Sequence, residues 1–276
     1  MTKKEQYDQL VADVISDYTS RKPDTALSGP KLVWCDDCRE INLWTYWQGS
    51  LDARIMLVGQ DWGCTDEAES WETAETLRRI RAVNAGSGPP FFPVIAENSV
   101  WTTDANLEEM FRVVGYDIMQ KQPNLFFTNL VLGYRDHGTS GLFRQKWIRD
   151  DAQYFKRLAD IIEPQAVICL GKSTFEGAIY ALTGEMRRIK GFNRFLDSGE
   201  NWRDIKLPGD RVTRVFAVAH CGTIGTMNRN RGKAPNGGCL SSDDLSVQIT
   251  DWNRIRAYLE ERKTDVGCMK KELQDD

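Results

Sequence analysis

Leu57-Val58-Gly59-Gln60-Asp61-Trp62-Gly63 is the stretch on which the reading of this chain turns. The apolar run Ala53-Arg54-Ile55-Met56-Leu57-Val58 empties into this Gly-flanked loop, which carries one amide and one carboxylate. Far downstream, Val215-Phe216-Ala217-Val218-Ala219 ends in His220 and the small-residue loop Cys221-Gly222-Thr223-Ile224-Gly225-Thr226. Short, continuous apolar runs predict buried strands. Each here delivers a polar group at its C-terminal end, where open α/β sheets place their ligands. An Asp and a His facing one another across such a crevice point to hydrolytic chemistry. Either residue alone is more often a cap or a satisfied structural group, so the pieces between them decide the matter.

Four apolar runs of strand length recur, at about 54–58, 125–131, 166–170 and 214–219. Helical patterns lie between them near 66–84, 104–115, 143–162 and 172–183. This alternation predicts a three-layer α/β/α sandwich with a mostly parallel central sheet. Residues 5–19 form a further amphipathic pattern, with Leu10, Val11, Val14, Ile15 and Tyr18 at helical spacing. A closing helix over about 243–263 places Leu245, Ile249, Trp252, Ile255 and Leu259 on one face, and 264–276 reads as a frayed, charged tail. The chain shows no repeat, low-complexity tract or linker. A single domain over 1–276 is expected, with 1–30 as its N-terminal helix and loop.

The chain has 276 residues, 41% hydrophobic and 28% charged, with a net charge of -4 and a pI near 5.4. That is enough sequence for a substantial core. The acidic balance argues against strong non-specific nucleic-acid binding unless the cations are concentrated on one face. Arg229, Arg231 and Lys233 after the His loop, with Arg187, Arg188 and Lys190 upstream, would supply such a face. The N-terminal segment is amphipathic rather than a secretory signal, and no apolar run approaches a membrane span. Seven scattered cysteines, an odd number, fit reduced thiols in a cytoplasm.

Two motifs mislead. Gly171-Lys172-Ser173-Thr174 imitates the end of a P-loop, but Ala166 stands where that motif needs its first Gly, so no triphosphate cradle forms. Gly171 and Ser173 still open a helix whose backbone amides could hold one phosphate. Trp34-Cys35-Asp36-Asp37-Cys38 imitates a redox pair, but two adjacent carboxylates raise a thiol pKa, the opposite of what a reactive cysteine needs.

Taken in order, the pieces resemble the uracil-DNA glycosylase superfamily. Gly59-Gln60-Asp61-Trp62-Gly63 is similar to its first motif, seen as Gly-Gln-Asp-Pro-Tyr in one branch. Leu125-Phe126-Phe127-Thr128-Asn129-Leu130-Val131 resembles the strand ending in its uracil-reading Asn. Pro164-Gln165-Ala166-Val167-Ile168-Cys169-Leu170-Gly171 resembles a late strand and phosphate-contacting turn, and Val215 to His220 the strand ending in the catalytic His. The resemblance covers about 31–255. Upstream, Cys35 and Cys38 before Gly49-Ser50-Leu51-Asp52-Ala53-Arg54 look like the first two cluster ligands of the iron–sulfur branch. Asp151 stands where the third would fall, and Cys169 reads as a strand-core thiol. Two thiolates do not hold a four-iron cluster, so neither an iron–sulfur cluster nor zinc is expected at Cys35 and Cys38, and no other cofactor.

The resemblance implies a monomer acting on uracil-containing DNA, by hydrolysis of the N-glycosidic bond of a flipped base. Asp61 would hold the attacking water and stabilise the oxocarbenium-like sugar. Neutral His220 would donate a hydrogen bond to uracil O2 as charge builds. Asn129, with Gln60 beside it, would bind the base. The Asn129 amide complements N3–H and O4 and mispairs with cytosine. In Gly88-Pro89-Pro90-Phe91-Phe92, Phe91 is the first candidate to stack on the base and Phe92 the second. Ile224 or Met227 would be the wedge that fills the vacated stack.

Trp62-Gly63 replaces the Tyr that blocks the thymine methyl, and His220-Cys221-Gly222 replaces the usual His-Pro-Ser. Two other classes therefore compete. A non-catalytic nucleic-acid or nucleotide binder fits the altered His loop and the acidic pI. A hydrolase of a small nucleoside would need neither basic face nor wedge.

Overall fold

The computed structural model describes residues 1–21, 32–33, 49–61, 102–118, 124–135 and 144–272. Strand β2 (Ile55–Gly59) lies at the heart of the fold, its first four residues buried. It pairs in parallel with β3 (Leu125–Asn129) on one side and with β5 (Ala166–Leu170) on the other. Strand β7 (Val212–Val218) extends the sheet beyond β5, again in parallel. Strand β6 (Trp202–Lys206) closes that edge antiparallel to β7, giving the order β3-β2-β5-β7-β6. Leu32–Val33 (β1) and Tyr134–Arg135 (β4) form a separate antiparallel pair.

Helices cover both faces. On one, α1 (Lys3–Ser20), α3 (Gln145–Ile162) and α4 (Lys172–Thr183) bury Leu10, Val14, Phe155, Leu158 and Ala178 against Met56, Val58 and Val167. On the other, α2 (Thr102–Val113) and α7 (Ser246–Glu272) bury Met110, Phe111, Trp252 and Ile255 against Ile55, Leu57 and Phe216. Alternate residues of β2 thus face opposite cores, as the pleat requires of a strand covered on both sides. The three-layer α/β/α sandwich is the architecture read from the alternation of strand and helix.

Boundaries differ in instructive ways. The β3 ladder stops at Asn129, and Leu130 to Gly133 bend away although Leu130, Val131 and Leu132 are fully buried. The closing helix runs to Glu272, into the segment expected to fray. Residues 66–84 lie outside the described residues. Strand β6 was not foreseen because its charges interrupt any apolar run: Arg203, Asp204 and Lys206 are exposed. Charged residues suit an edge strand, where they discourage pairing with another chain. Asp204 lies directly opposite Arg214, which donates two hydrogen bonds of 2.7 and 2.8 Å to it. The same guanidinium stacks 3.6 Å from the centre of the Trp202 ring.

Helix α1 is pinned at both ends. At its start, Thr2 and Glu5 form a reciprocal capping box. At its end, Tyr18 donates a hydrogen bond to the buried Asp151 carboxylate, Arg21 forms an ion pair with it at 2.7 Å, and the amide of Leu132 donates to it at 2.9 Å. The residue at the third-ligand position is therefore a structural anchor joining α1, α3 and the turn after β3. Cys169 is fully buried in β5, and burial pushes its thiol well above the ordinary range, as expected of a core cysteine.

Candidate functional site

Four parallel strands end on one edge of the sheet. From β2 the next parallel strand, β3, lies to one side. From β5 the next, β7, lies to the other, so the topological switch point falls between β2 and β5. Gln60 and Asp61 leave β2 at that point, Gly171 leaves β5 beside it, and Asn129 and His220 stand on the flanking strands. With a spacing of about 4.8 Å per strand, the axes of β2 and β7 lie roughly 10 Å apart.

Asn129 leans toward the switch point because Gly59, its register partner, has no side chain. A β-carbon at Gly59 would overlap Asn129 Oδ1, so only glycine leaves this space to the amide. Two further backbone bonds carry the pairing past the strands: Leu130 donates to the Gly59 carbonyl at 2.9 Å and Val131 to that of Gln60 at 3.1 Å. They fix the start of the Gln60–Asp61 loop to the β3 end. Gln60 Nε2 donates to Asp61 Oδ1 at 3.4 Å, and both residues are partly exposed. The Asn129 side-chain amide makes no hydrogen bond among the described residues.

His220 follows β7. Its Nδ1 accepts a hydrogen bond of 3.0 Å from the backbone N–H of Gly222. The proton of the neutral ring therefore resides on Nε2, whose N–H has no partner among the described residues. Packing around the ring lowers its pKa below the ordinary imidazole value, while its outer edge stays open to solvent. The bond to Nδ1 acts in the same direction, because it favours the neutral form.

The segment after His220 departs from the expected small-residue loop, since Thr223–Asn230 forms helix α6, capped by Gly222. Two glycines permit this. A β-carbon at Gly225 would overlap the carbonyl of His220, and one at Gly222 would lie 2.8 Å from Thr103 Oγ1 and 3.1 Å from the imidazole. The helix thus packs directly on the backbone that carries the His. Asn106 Nδ2 donates to the Cys221 carbonyl at 2.6 Å, and Gln248 Nε2 to Thr226 Oγ1 at 2.8 Å, tying the turn to α2 and α7. Cys221 itself is sealed in, and burial pushes its thiol up to about 12, too high to leave a thiolate at neutral pH. Thr103, Asn106 and Gln248 were missed in the sequence. Asn106 and Gln248 left a signal there, as polar residues on the apolar faces of α2 and α7.

On the outer face of α6, Ile224 is 73% exposed and Met227, one turn later, 48% exposed. Both candidate wedge residues therefore stand in solvent beside His220. Gly171 caps α4 with φ of +94°, where a β-carbon would be strained. Its own amide is taken by the Val218 carbonyl at 2.8 Å, so a phosphate there would meet the amides that follow, with Ser173 exposed beside them.

The basic face predicted around the His loop needs correction. Arg229 is 2% exposed and makes two hydrogen bonds to Asp251 and one to Asp197. Lys233 is paired with Asp197 at 2.8 Å. Only Arg231 of that trio is exposed with no ion pair among the described residues. Arg187, Arg188 and Lys190 are exposed, on the segment after α4.

Phe91, Phe92, Trp62, Gly63, Cys35 and Cys38 lie outside the described residues. Among the described residues no three His, Cys, Asp or Glu side chains are gathered as metal ligands, and no helix is long and apolar enough to cross a membrane. Comparison of the chain with models of known protein families and with curated protein sequences gives no match to either.

Proposed function

We propose that this protein is a monofunctional DNA glycosylase that releases uracil, or a related deaminated base, from DNA. The packing of the Asn129 amide on Gly59, at the root of the Gln60–Asp61 loop, is the observation that carries the reading. An amide there would offer an acceptor–donor pair that suits N3–H and O4, at the same sheet edge as a carboxylate and a neutral imidazole, which supports the reading. Asp61 holds a water and offsets the positive charge that develops on the sugar. The water oxygen bonds to C1′ as the C1′–N1 bond breaks, Asp61 takes the proton the water loses, and the departing base keeps the electron pair. His220 Nε2–H then donates to O2, where the negative charge collects. Ile224 and Met227, exposed on α6, enter the stack that the flipped base leaves.

The test is excision from labelled oligonucleotides carrying one uracil, single-stranded or opposite A or G, followed by alkaline cleavage. The wild type is expected to release uracil. His220→Ala should lose about 10²–10³ in kcat, the worth of one donor to a developing oxyanion. Asp61→Asn should be inactive while its melting temperature stays unchanged. DNA binding without any strand breaks from the wild type would instead make the protein a non-catalytic reader.

A further inference from the structure

The acidic chain concentrates cations in one place. A cleft of about 530 Å³ between α4, the segment leading into α5 (Phe192–Asp197) and β6 is walled by Arg187, Arg188, Lys190, Arg194 and Arg203. All five are exposed, and no carboxylate lines the cleft. Several other surface cations among the described residues sit in i,i+4 pairs with acids, as in Lys146–Asp150, Lys156–Asp160 and Arg256–Glu260. Here neutralisation is slight. Arg187 meets Glu185 at 3.3 Å in a pair exposed on both sides, which is worth little. Arg188 reaches the neutral Gln145 at 3.4 Å, and Arg203 donates to the Trp202 carbonyl. Lys190 and Arg194 make no ion pair among the described residues. The floor is apolar and aromatic: Phe175 and Phe195 pack with ring centres 5.5 Å apart.

Five like charges around one cleft repel one another unless an anion enters it. We infer that the cleft is a second binding site, distinct from the crevice, for the phosphate backbone of a single nucleic-acid strand. An aromatic floor beneath a cationic rim suits a strand, whose sugars or bases meet the part-exposed Phe195 ring while phosphates meet the guanidinium groups. The position agrees: Asn193 Nδ2, on α5, donates to the Asn228 carbonyl of α6 at 2.7 Å, so the cleft adjoins the helix that carries Ile224 and Met227. A strand crossing α6 from the crevice reaches the cleft next. This rests on the glycosylase reading only for the direction of the strand.

Binding of a labelled single-stranded oligonucleotide without uracil, long enough to span crevice and cleft, tests the proposal on the full chain. The triple variant Arg187→Gln, Arg188→Gln, Arg194→Gln should bind roughly tenfold more weakly. Its log–log salt dependence should be flatter by about 2, at about 0.7 per lost phosphate contact. The matching triple lysine variant should stay near the wild type. Excision from a uracil-containing trinucleotide, too short to reach the cleft, should be unchanged. Wild-type affinity and salt slope in the glutamine variant would overturn the site. So would a free nucleoside triphosphate that binds wild type but not the variant while oligonucleotide binding stays the same, since the cleft would then serve a mononucleotide. Because the probe lacks uracil, the two readings fail separately. Loss of oligonucleotide affinity in a protein that excises nothing keeps the cleft and removes the glycosylase, and excision with unaltered binding does the reverse.

Discussion

Helix α6 separates two polar regions built to opposite ends. On its inner side Arg229 donates two hydrogen bonds of 2.7 and 2.9 Å to the fully buried Asp251, and Asp197 closes the third side at 2.8 Å. On its outer side His220 offers Nε2–H to solvent, flanked by exposed Ile224 and Met227. The inner cluster has its charges mutually satisfied, and the outer edge keeps hydrogen-bonding capacity in reserve. One short helix thus ties the buried cluster to the candidate site, because the inner pair holds the element that His220 packs against. Polarity alone does not mark a site. What marks it is polarity left open at a sheet edge.

The largest effect expected is on the inner side. Arg229→Ala leaves the buried Asp251 carboxylate with Arg254 alone, at 3.3 Å, and should cost about 3–5 kcal/mol in urea unfolding. Replacing both partners, as Arg229→Met with Asp251→Leu, should recover most of that loss, since the penalty belongs to a buried charge robbed of its two-bond partner. A cost below about 1 kcal/mol for the single variant would break the comparison, because the cluster would then be as dispensable as a surface pair.

Next comes Gly59→Ala, which should separate function from stability on the open edge. The added methyl overlaps the end of a side chain, and Asn129 can rotate away at little cost to folding. Unfolding should shift by no more than about 1 kcal/mol. Uracil discrimination should fall much further, because each mispaired amide group at a buried base edge is worth about 1–3 kcal/mol. The readout is the ratio of uracil to cytosine excision. An unchanged ratio would mean that Asn129 does not read the base.

How much of this was legible in the sequence varies by region. Continuous apolar runs gave β2, β3, β5 and β7 to within a few residues, because strands covered on both faces need unbroken hydrophobicity. Strand β6 was hidden by the charges that protect an edge. Helix α6 was hidden for another reason. Gly222, Gly225 and Thr226 look like loop residues, and only the close approach to His220 explains glycines in a helix. The half of the basic face after the His loop was misplaced, because Arg229 cannot be told from an exposed arginine until Asp251 and Asp197 are seen beside it. At the candidate site, the sequence marks Asp61, Asn129 and His220 as strand-end groups. The supports that orient them, Gly59 beneath Asn129 and Asn106 behind Cys221, act through long-range contacts that no local pattern encodes.

The smallest effect expected concerns pH, and it sharpens the contrast at a single atom. Packing lowers the His220 pKa, so between its folded value and the ordinary 6.5 the unfolded chain binds more protons than the folded one. Stability contributed by this residue is therefore complete above 6.5 and is lost as pH falls through the folded pKa. Excision should follow the same limb, holding down through pH 6.5 and declining only below it, because the neutral ring is the donor in the proposed reaction. The chain has two histidines. A His137→Gln variant thus leaves one imidazole, whose ring nitrogens can be followed by NMR across the titration. The expected spectrum is an Nε2–H tautomer that titrates below 6.5, with Nδ1 accepting from Gly222. An Nδ1–H tautomer would place the proton on the wrong nitrogen, and a midpoint at or above 6.5 would leave the ring charged where the donor must be neutral. His220 would then belong with the closed, structural groups on the inner side of α6.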